Sequence, residues 1–394
     1  MTTTEARWIR SCSRRRALAG LAGFLAGASS TYGQQDPFRD HSRVAGLSEM
    51  RDVFDFEAAA YERLDRATYN FTARGGGSEF TTRRNREAFD WVKLVPRAVG
   101  EGGPPQTATE ILGTPLRFPV MLAPSHAHSA LHPDMEAGTY AGSTKASETA
   151  MMVSHVASMP FAEIAKAEGG PLWFQLYPRR ELEQNREPVE SAQDAGAGAI
   201  VVTIDQQASF YDRPVHDRNL SLRPRRPPRY SGNAGRYRFS SSRMWYEWKL
   251  FEDLRSMVKV PMLAKGILIP EDALLAIEHG VDGIVVSNHG GRTLDYTPSS
   301  LEVLPEIVEA VGGRVPVLVD SGFRRGSDIL KALALGASAV CLGRVPRWGL
   351  GSFGAPGVTR VLEIVQDELV RSMVRCGVSA VDSIDASLVR TDFP

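Results

Sequence analysis

From residue 110 onward the chain alternates short, continuously apolar runs with stretches in which apolar and polar positions recur at helical spacing. The runs are FPVMLAPS (118–125), AMMVSH (150–155), LWFQLY (172–177), AIVVTID (199–205), VPMLAKG (260–266), GIVVSNHG (283–290), VPVLVDSG (315–322) and AVCLGR (339–344). A strand buried on both faces shows no polar side, so each run reads as a strand of a parallel sheet. Between them, PEDALLAIEHGV (270–281) and GSDILKALALGA (326–337) place Pro or Ser near the start and Gly near the end, as helices do. Eight such units predict an α/β fold, a closed TIM (β/α)8 barrel. An open doubly wound sheet is the rival, although no G-x-G-x-x-G turn follows the first strand.

Two segments fall outside the repeat. Residues 41–110 form an N-terminal helical leader, with a predicted helix near 49–65 and a glycine-rich turn, ARGGGSE (73–79), suited to packing across the barrel's end. The connection from Gln206 to about Lys249, after the fourth strand, is too long for an ordinary strand-to-helix loop, and we read residues 206–249 as a lid over the barrel mouth. At the N-terminus, Ser13-Arg14-Arg15-Arg16 precedes a short Ala/Leu/Gly run that ends in Ala26-Gly27-Ala28. Residues 1–28 read as a twin-arginine signal, with export to the periplasm or exterior expected and the barrel domain spanning 29–394; a basic tail on a cytoplasmic protein is the plainer reading. No stretch is long and apolar enough for a stable membrane span.

Composition narrows the partners. Forty-six basic residues balance forty-six acidic ones, so nucleic acid is not expected as a partner. Cys12, Cys341 and Cys376 are too far apart in sequence to suggest a disulfide framework or a zinc site, and a single Cys341 to Cys376 bridge stays open.

In a barrel of this type the chemistry sits at the C-terminal ends of the strands. Reading those ends in order gives Ser125 with His126, Ser154 with His155, Gln175 with Tyr177, Thr203 with Asp205, Lys265, Asn288 with His289 and Arg292, Asp320, and Arg344. One such residue can be a satisfied core group; a set spread over eight strand ends predicts a polar pocket. A histidine, a separate carboxylate, a lysine and two arginines, Arg292 and Arg213 of the lid, suit an anionic substrate that must lose a proton. The glycine turns VDSGFRRG (319–326) and LGR (342–344) suit a phosphate carried by substrate or cofactor. His126, His128 and His132 lack an accompanying carboxylate cluster, and no metal is predicted.

Taken together, SNHGGRTLD (287–295), DSGFRRG (320–326), AKGI (264–267) followed by PEDA (270–273), and WFQLY (173–177) resemble the FMN-dependent L-2-hydroxy acid oxidases and dehydrogenases. The likeness runs from about residue 49 to the C-terminal helix, and around APSHAHSALHPD its spacing is similar to lactate oxidase. The resemblance implies FMN, with His289 as the base, Asp205 stabilising its imidazolium and Tyr177 near the substrate hydroxyl. It implies Arg292 and Arg213 on the substrate carboxylate, and Lys265 beside the flavin pyrimidine edge. Pro124, Ser125, His126, Ser154, Gln175, Thr203 and Ser287 would contact the ring system, and Asp320, Gly322, Arg324, Gly343 and Arg344 would surround the ribityl phosphate. Electrons would pass to molecular oxygen or another acceptor, and a homotetramer is implied.

The chain departs from that pattern at three places. Phe71 stands where the family has a substrate-binding tyrosine, His126 where a small residue lies against the flavin, and His155 beside the substrate pocket, suited to a larger or more polar acid. Losing the tyrosine hydroxyl removes a hydrogen bond to a charged group worth roughly 1.5–3 kcal/mol. Two other readings stay open: a flavin barrel of another class, such as an isomerase, and a flavin-binding protein without turnover.

Overall fold

The computed structural model describes residues 45–100, 102–206 and 246–394; the twin-arginine segment, Arg213 and most of the lid lie outside them. All eight apolar runs are strands. They are β1 (Val120–Ser125), β2 (Met151–Ser154), β3 (Leu172–Leu176), β4 (Ile200–Thr203), β5 (Met262–Ile267), β6 (Gly283–Val286), β7 (Val317–Val319) and β8 (Ala339–Leu342). Each pairs with the next in parallel, and β8 closes on β1 through Cys341 opposite Met121. The closed barrel excludes the open-sheet alternative.

The barrel interior is a packed layer rather than a pore. Trp173 is fully buried there, with Ala150, Ala199 and Ala339 in the same cluster leaving room for its indole. Burying a side chain of this size contributes several kcal/mol, and truncating it to alanine would cost about 3–5 kcal/mol. Below it, a hairpin of Thr109–Ile111 and Thr114–Leu116 places Ile111 and Leu116 in that same cluster. Its two-residue turn has left-handed φ at both Leu112 (51°) and Gly113 (77°), as expected of a tight turn matched to strand twist. Trp173 Nε1 donates to Thr114 Oγ1 at 2.9 Å, tying hairpin to barrel.

The helices between strands have ordinary sequence causes. Ser299 caps helix Ser300–Val311 by accepting from the Glu302 amide while Glu302 accepts from the Ser299 amide, and Gly312 ends it at φ 59°. After β8, Arg344–Cys376 is a pair of helices that meet at Gly354, whose φ of 64° breaks the helical path.

The leader supplies the other wall of the site. Helix Val53–Arg63 begins at Asp52, which accepts from the Phe54 and Asp55 amides, and buries Phe56 edge-on against Phe353. Helices Arg66–Ala73 and Phe80–Glu87 then lie at the loop ends of the barrel strands. The Gly76 amide donates to Gly291 O at 2.7 Å, Arg84 makes a forked pair with Glu302 at 3.0 and 2.7 Å, and Ser78 and Thr81 both donate to Asp295. The glycine-rich turn is therefore a close-approach surface as well as a bend. Cys341 and Cys376 are buried free thiols, which settles the bridge left open by sequence.

Candidate active site

The apolar β6 run ends because its next residues leave the sheet. Ser287 and Asn288 are fully buried, and the chain then takes three left-handed residues in succession, His289 (φ 57°), Gly290 (69°) and Gly291 (70°). Glycine adopts this conformation freely, but histidine pays for it, roughly 1–3 kcal/mol, so the surroundings must hold it. Asn288 does part of this. It exchanges amide hydrogen bonds with Asn85 of the leader at 2.9 and 2.7 Å, and its Oδ1 accepts from the Gly291 amide at 3.0 Å. Gly291 has no alternative there, since a Cβ would come within 2.7 Å of the Thr82 backbone nitrogen.

The result is a histidine aimed from the strand end at a carboxylate. His289 Nδ1 lies 3.0 and 3.2 Å from the two oxygens of Asp205 at the end of β4. With Nδ1–H donated to Asp205, Nε2 carries the lone pair and accepts from the Gln206 amide at 2.9 Å. Burial pushes the imidazole below its ordinary pKa, with Lys265 and Arg292 acting the same way and Asp205 opposing them. Burial alone would raise the Asp205 carboxyl, but His289 and Lys265 outweigh it and hold it low. A neutral imidazole beside an ionised carboxylate is the resting pair.

Lys265 of β5 sits behind this pair. It is buried, 3.1 Å from Asp320 of the β7 end, and donates to Ser287 Oγ at 2.7 Å. Burial works against its charge, yet Asp320 and Asp205 together raise its pKa above the usual lysine value, so it stays an ammonium.

These groups border a cleft at the C-terminal face whose free space, the solvent at its open mouth included, is about 820 Å³. Phe71, Pro124, Ser125, His126, Ser154, Tyr177, Lys265, His289, Arg292, Asp320, Gly322, Arg324, Gly343 and Arg344 line it, so most of the sequence-derived set converges. Asp205, Gln175, Ser287 and His155 do not line it but lie one contact behind, on His289, Ser154, Lys265 and the Tyr177 amide respectively. Thr203 is buried at the end of β4. Arg213 is outside the described residues.

At one end of the cleft the β7 and β8 turns form a cationic cradle. Gly322, at φ 88°, approaches the leader so closely that a Cβ would collide with Asn85 O, and Arg86 holds the Gly322 carbonyl while pairing with Asp328 at 2.7 Å. Burial, and next the neighbouring Arg344, push the Arg324 guanidinium down to about 10. Two cations crowded beside glycine backbone suit a phosphate. Deeper in, Gln175 accepts from Ser154 Oγ at 3.0 Å while its own buried Nε2 has no partner among the described residues. An unanswered buried amide costs roughly 1–3 kcal/mol, which a ring carbonyl or nitrogen of a bound cofactor would recover. The cradle and this amide together fit FMN.

Sequence reading missed Arg347 and Ser321. Arg347 is buried in the cleft wall; it donates to Thr72 Oγ1 at 3.0 Å and to the His126 carbonyl, and burial pushes it down to about 10. A second arginine three residues after Arg344, inside RVPRWGL (344–350), is the signal that could have found it. Ser321 carries a non-glycine φ of 80° within the DSG turn, which no sequence pattern reveals. Among the departures, Phe71 lies edge-on to His126 at 5.1 Å, its carbonyl accepts from Arg292 Nη1 at 2.7 Å, and the same guanidinium sits 5.0 Å from its ring. Both ring nitrogens of the neighbouring His128 meet hydroxyls, of Ser125 at 2.8 Å and Thr139 at 3.0 Å, and burial holds it neutral.

Comparison with known proteins agrees with this geometry. Residues 60–391 match the FMN-dependent dehydrogenase family. The chain is 36% identical over 360 residues to the peroxisomal (S)-2-hydroxyacid oxidase GLO3 of Arabidopsis thaliana, covering 88% of this chain and 98% of the relative. It is 35% identical over 364 residues to an L-lactate oxidase of Nostoc sp., covering 88% of this chain and 100% of that one. A crystal structure of mandelate oxidase superposes with a TM-score of 0.78 at 34% identity, over 87% of this chain and 99% of that one. The barrel, the cradle and these likenesses together establish that the chain belongs to the FMN-dependent dehydrogenase family and is an FMN flavoenzyme of the 2-hydroxy acid oxidase type, an oxidoreductase acting on CH–OH groups.

Proposed function

We propose that the protein oxidises an L-2-hydroxy acid, of lactate size or larger, to the 2-oxo acid with His289 as the base and molecular oxygen as the final acceptor. The observation that carries this reading is the neutral imidazole held by Asp205 at 3.0 Å in the same cleft wall as Arg292. Arg292 is fixed by the Phe71 carbonyl and offers its charge to the substrate carboxylate, which orients the hydroxyl-bearing carbon. Tyr177 lines the cleft and completes the hydroxyl's hydrogen bonding. His289 Nε2 then takes the proton, exchanging the Gln206 amide for substrate. Asp205, already ionised, stabilises the imidazolium that forms.

FMN, when bound, accepts the two electrons that leave the substrate. Gln175, Ser154, Thr203, Ser287 and Lys265 would hold its ring system, with Pro124, Ser125 and His126 against it. Asp320, Gly322, Arg324, Gly343 and Arg344 would hold the phosphate end. The persistent Lys265 charge favours negative charge arriving nearby. Oxygen as acceptor is supported by the oxidase names of the relatives.

The test is anaerobic mixing of FMN-loaded protein with L-lactate, glycolate and L-mandelate in turn, followed by air. Bleaching of the flavin band and its rapid return in air are expected. A second reading, flavin binding without turnover, is favoured by Phe71 and His126 crowding the cleft, and a band that no hydroxy acid bleaches would select it. Residues 1–28 are proposed as an export signal, to be checked by the N-terminus of mature protein from a secreting host, and a homotetramer by light scattering.

A further inference from the structure

Around His289 the hydrogen bonds close on themselves. Ser321 Oγ donates to Asp320 Oδ1 at 2.7 Å and accepts from the Gly290 amide at 2.9 Å. The other oxygen of Asp320 lies 3.1 Å from Lys265 Nζ, which donates to Ser287 Oγ at 2.7 Å. Ser287 Oγ in turn accepts from the His289 amide at 3.0 Å. Because His289 and Gly290 are neighbours, the circuit from Ser321 through Asp320, Lys265 and Ser287 returns to its start. Asp320, Ser287 and Ser321 are all buried, so water does not compete for these bonds.

Ser321 is the least expected member. Its φ of 80° is a conformation that glycine takes without strain, as Gly322 beside it does at 88°, and serine does not. What the side chain adds for that strain is one hydroxyl whose hydrogen and lone pair are both used. We infer that Ser321 is a positioning residue for His289: its hydroxyl ties the left-handed His289-Gly290 turn to the Asp320–Lys265 pair, and so fixes the imidazole relative to the lysine. This rests on the proposed reading of His289 as the base.

The experiment compares FMN-loaded Ser321→Gly and Ser321→Ala with wild type. Both delete the hydroxyl, but only glycine relieves the backbone, so Ser321→Gly is expected to melt above Ser321→Ala. If the hydroxyl positions the base, both variants keep FMN at wild-type occupancy and exchange the His289 and Gly290 amide hydrogens faster. Both then lose about tenfold in the limiting rate of anaerobic flavin reduction, with half-saturating substrate changed by less than about twofold. Reduction in Ser321→Gly within about twofold of wild type overturns the inference, as do rates that follow melting order or a loss that tracks FMN occupancy. His289→Ala run alongside separates the two claims. If it reduces flavin normally, the base assignment itself fails; if it collapses while Ser321→Gly does not, only the positioning role falls.

Discussion

The two walls of the cleft are held in different ways. On the β4 to β7 side a continuous set of hydrogen bonds and ion pairs fixes His289, Asp205, Lys265 and Asp320, and the Asn85 to Asn288 amide exchange locks that side to the leader. On the β1 to β3 side, short bonds such as Ser125 to His128 and Ser154 to Gln175 stand beside ring-edge and longer contacts. Phe71 stands edge-on to His126, His155 lies 5.8 Å from Phe174, and the bond from the Tyr177 amide to His155 is 3.3 Å. A polar network tolerates little change because each deletion strands a buried partner, whereas ring packing can be re-cut by exchanging one side chain. On the proposed reading the base and its counter-charge stand in the first wall, while the second, which also supplies Tyr177, is where substitution should alter the choice of substrate.

Breaking the networked wall should have the largest effect. His289→Ala should bind FMN and slow flavin reduction by about 10³-fold or more, measured by anaerobic stopped flow, because general-base catalysis alone contributes about 10²–10⁴. Asp205→Asn should cost about 10²-fold, since the imidazolium loses its counter-charge. Its pH dependence gives a sharper check. Burial, helped by Lys265 and Arg292, holds His289 below its ordinary value, so wild-type reduction should lose activity only as pH falls through a point below about 6.5. Asp205 is the group that raises His289, so its removal should move that acid limb lower still while the plateau falls. An acid limb that moves upward would contradict the assigned pair.

How much of this was legible in sequence follows the same division. The eight strands could be read because parallel barrel strands are apolar on both faces, and the strand-end polar residues because nothing in packing explains them. The hairpin at 109–116 escaped because three-residue strands carry too little periodicity, and its Leu112-Gly113 turn looks like any loop until both φ values are seen. Asn85 was invisible since its meaning lies in a residue 203 positions away, Asn288. Ser321 and Arg347 stayed hidden for the same reason: a hydroxyl in a turn, or a guanidinium on a helix, gains its role from partners that only the fold supplies.

The ring-edged wall should respond to substitution by shifts in preference. Phe71→Tyr restores a hydroxyl beside Arg292, where a hydrogen bond to a charged carboxylate is worth roughly 1.5–3 kcal/mol. The low end corresponds to about tenfold tighter half-saturation by small acids such as L-lactate, with the limiting reduction rate little changed. A fall in that rate without tighter binding would mean the phenyl ring is needed to seat Arg292.

His155→Ala should have the smallest effect, and its size follows from how the ring is held. The imidazole is half-buried, accepts a long bond from the Tyr177 amide at 3.3 Å, and packs at an oblique 56° against Phe174. Losing such a contact at a partly wet site costs about 0.5–1.5 kcal/mol, because water can satisfy the freed amide. The space gained lies one contact behind the cleft wall, and a shift of that wall into it would admit an aryl side chain where a methyl gains nothing. The ratio of kcat/KM for L-mandelate over L-lactate should therefore rise about three- to tenfold, with flavin reduction by lactate slowed by less than that. Equal losses on both acids would place His155 with the networked wall, as a support for Tyr177, and would move the boundary between chemistry and selection one strand further round the barrel.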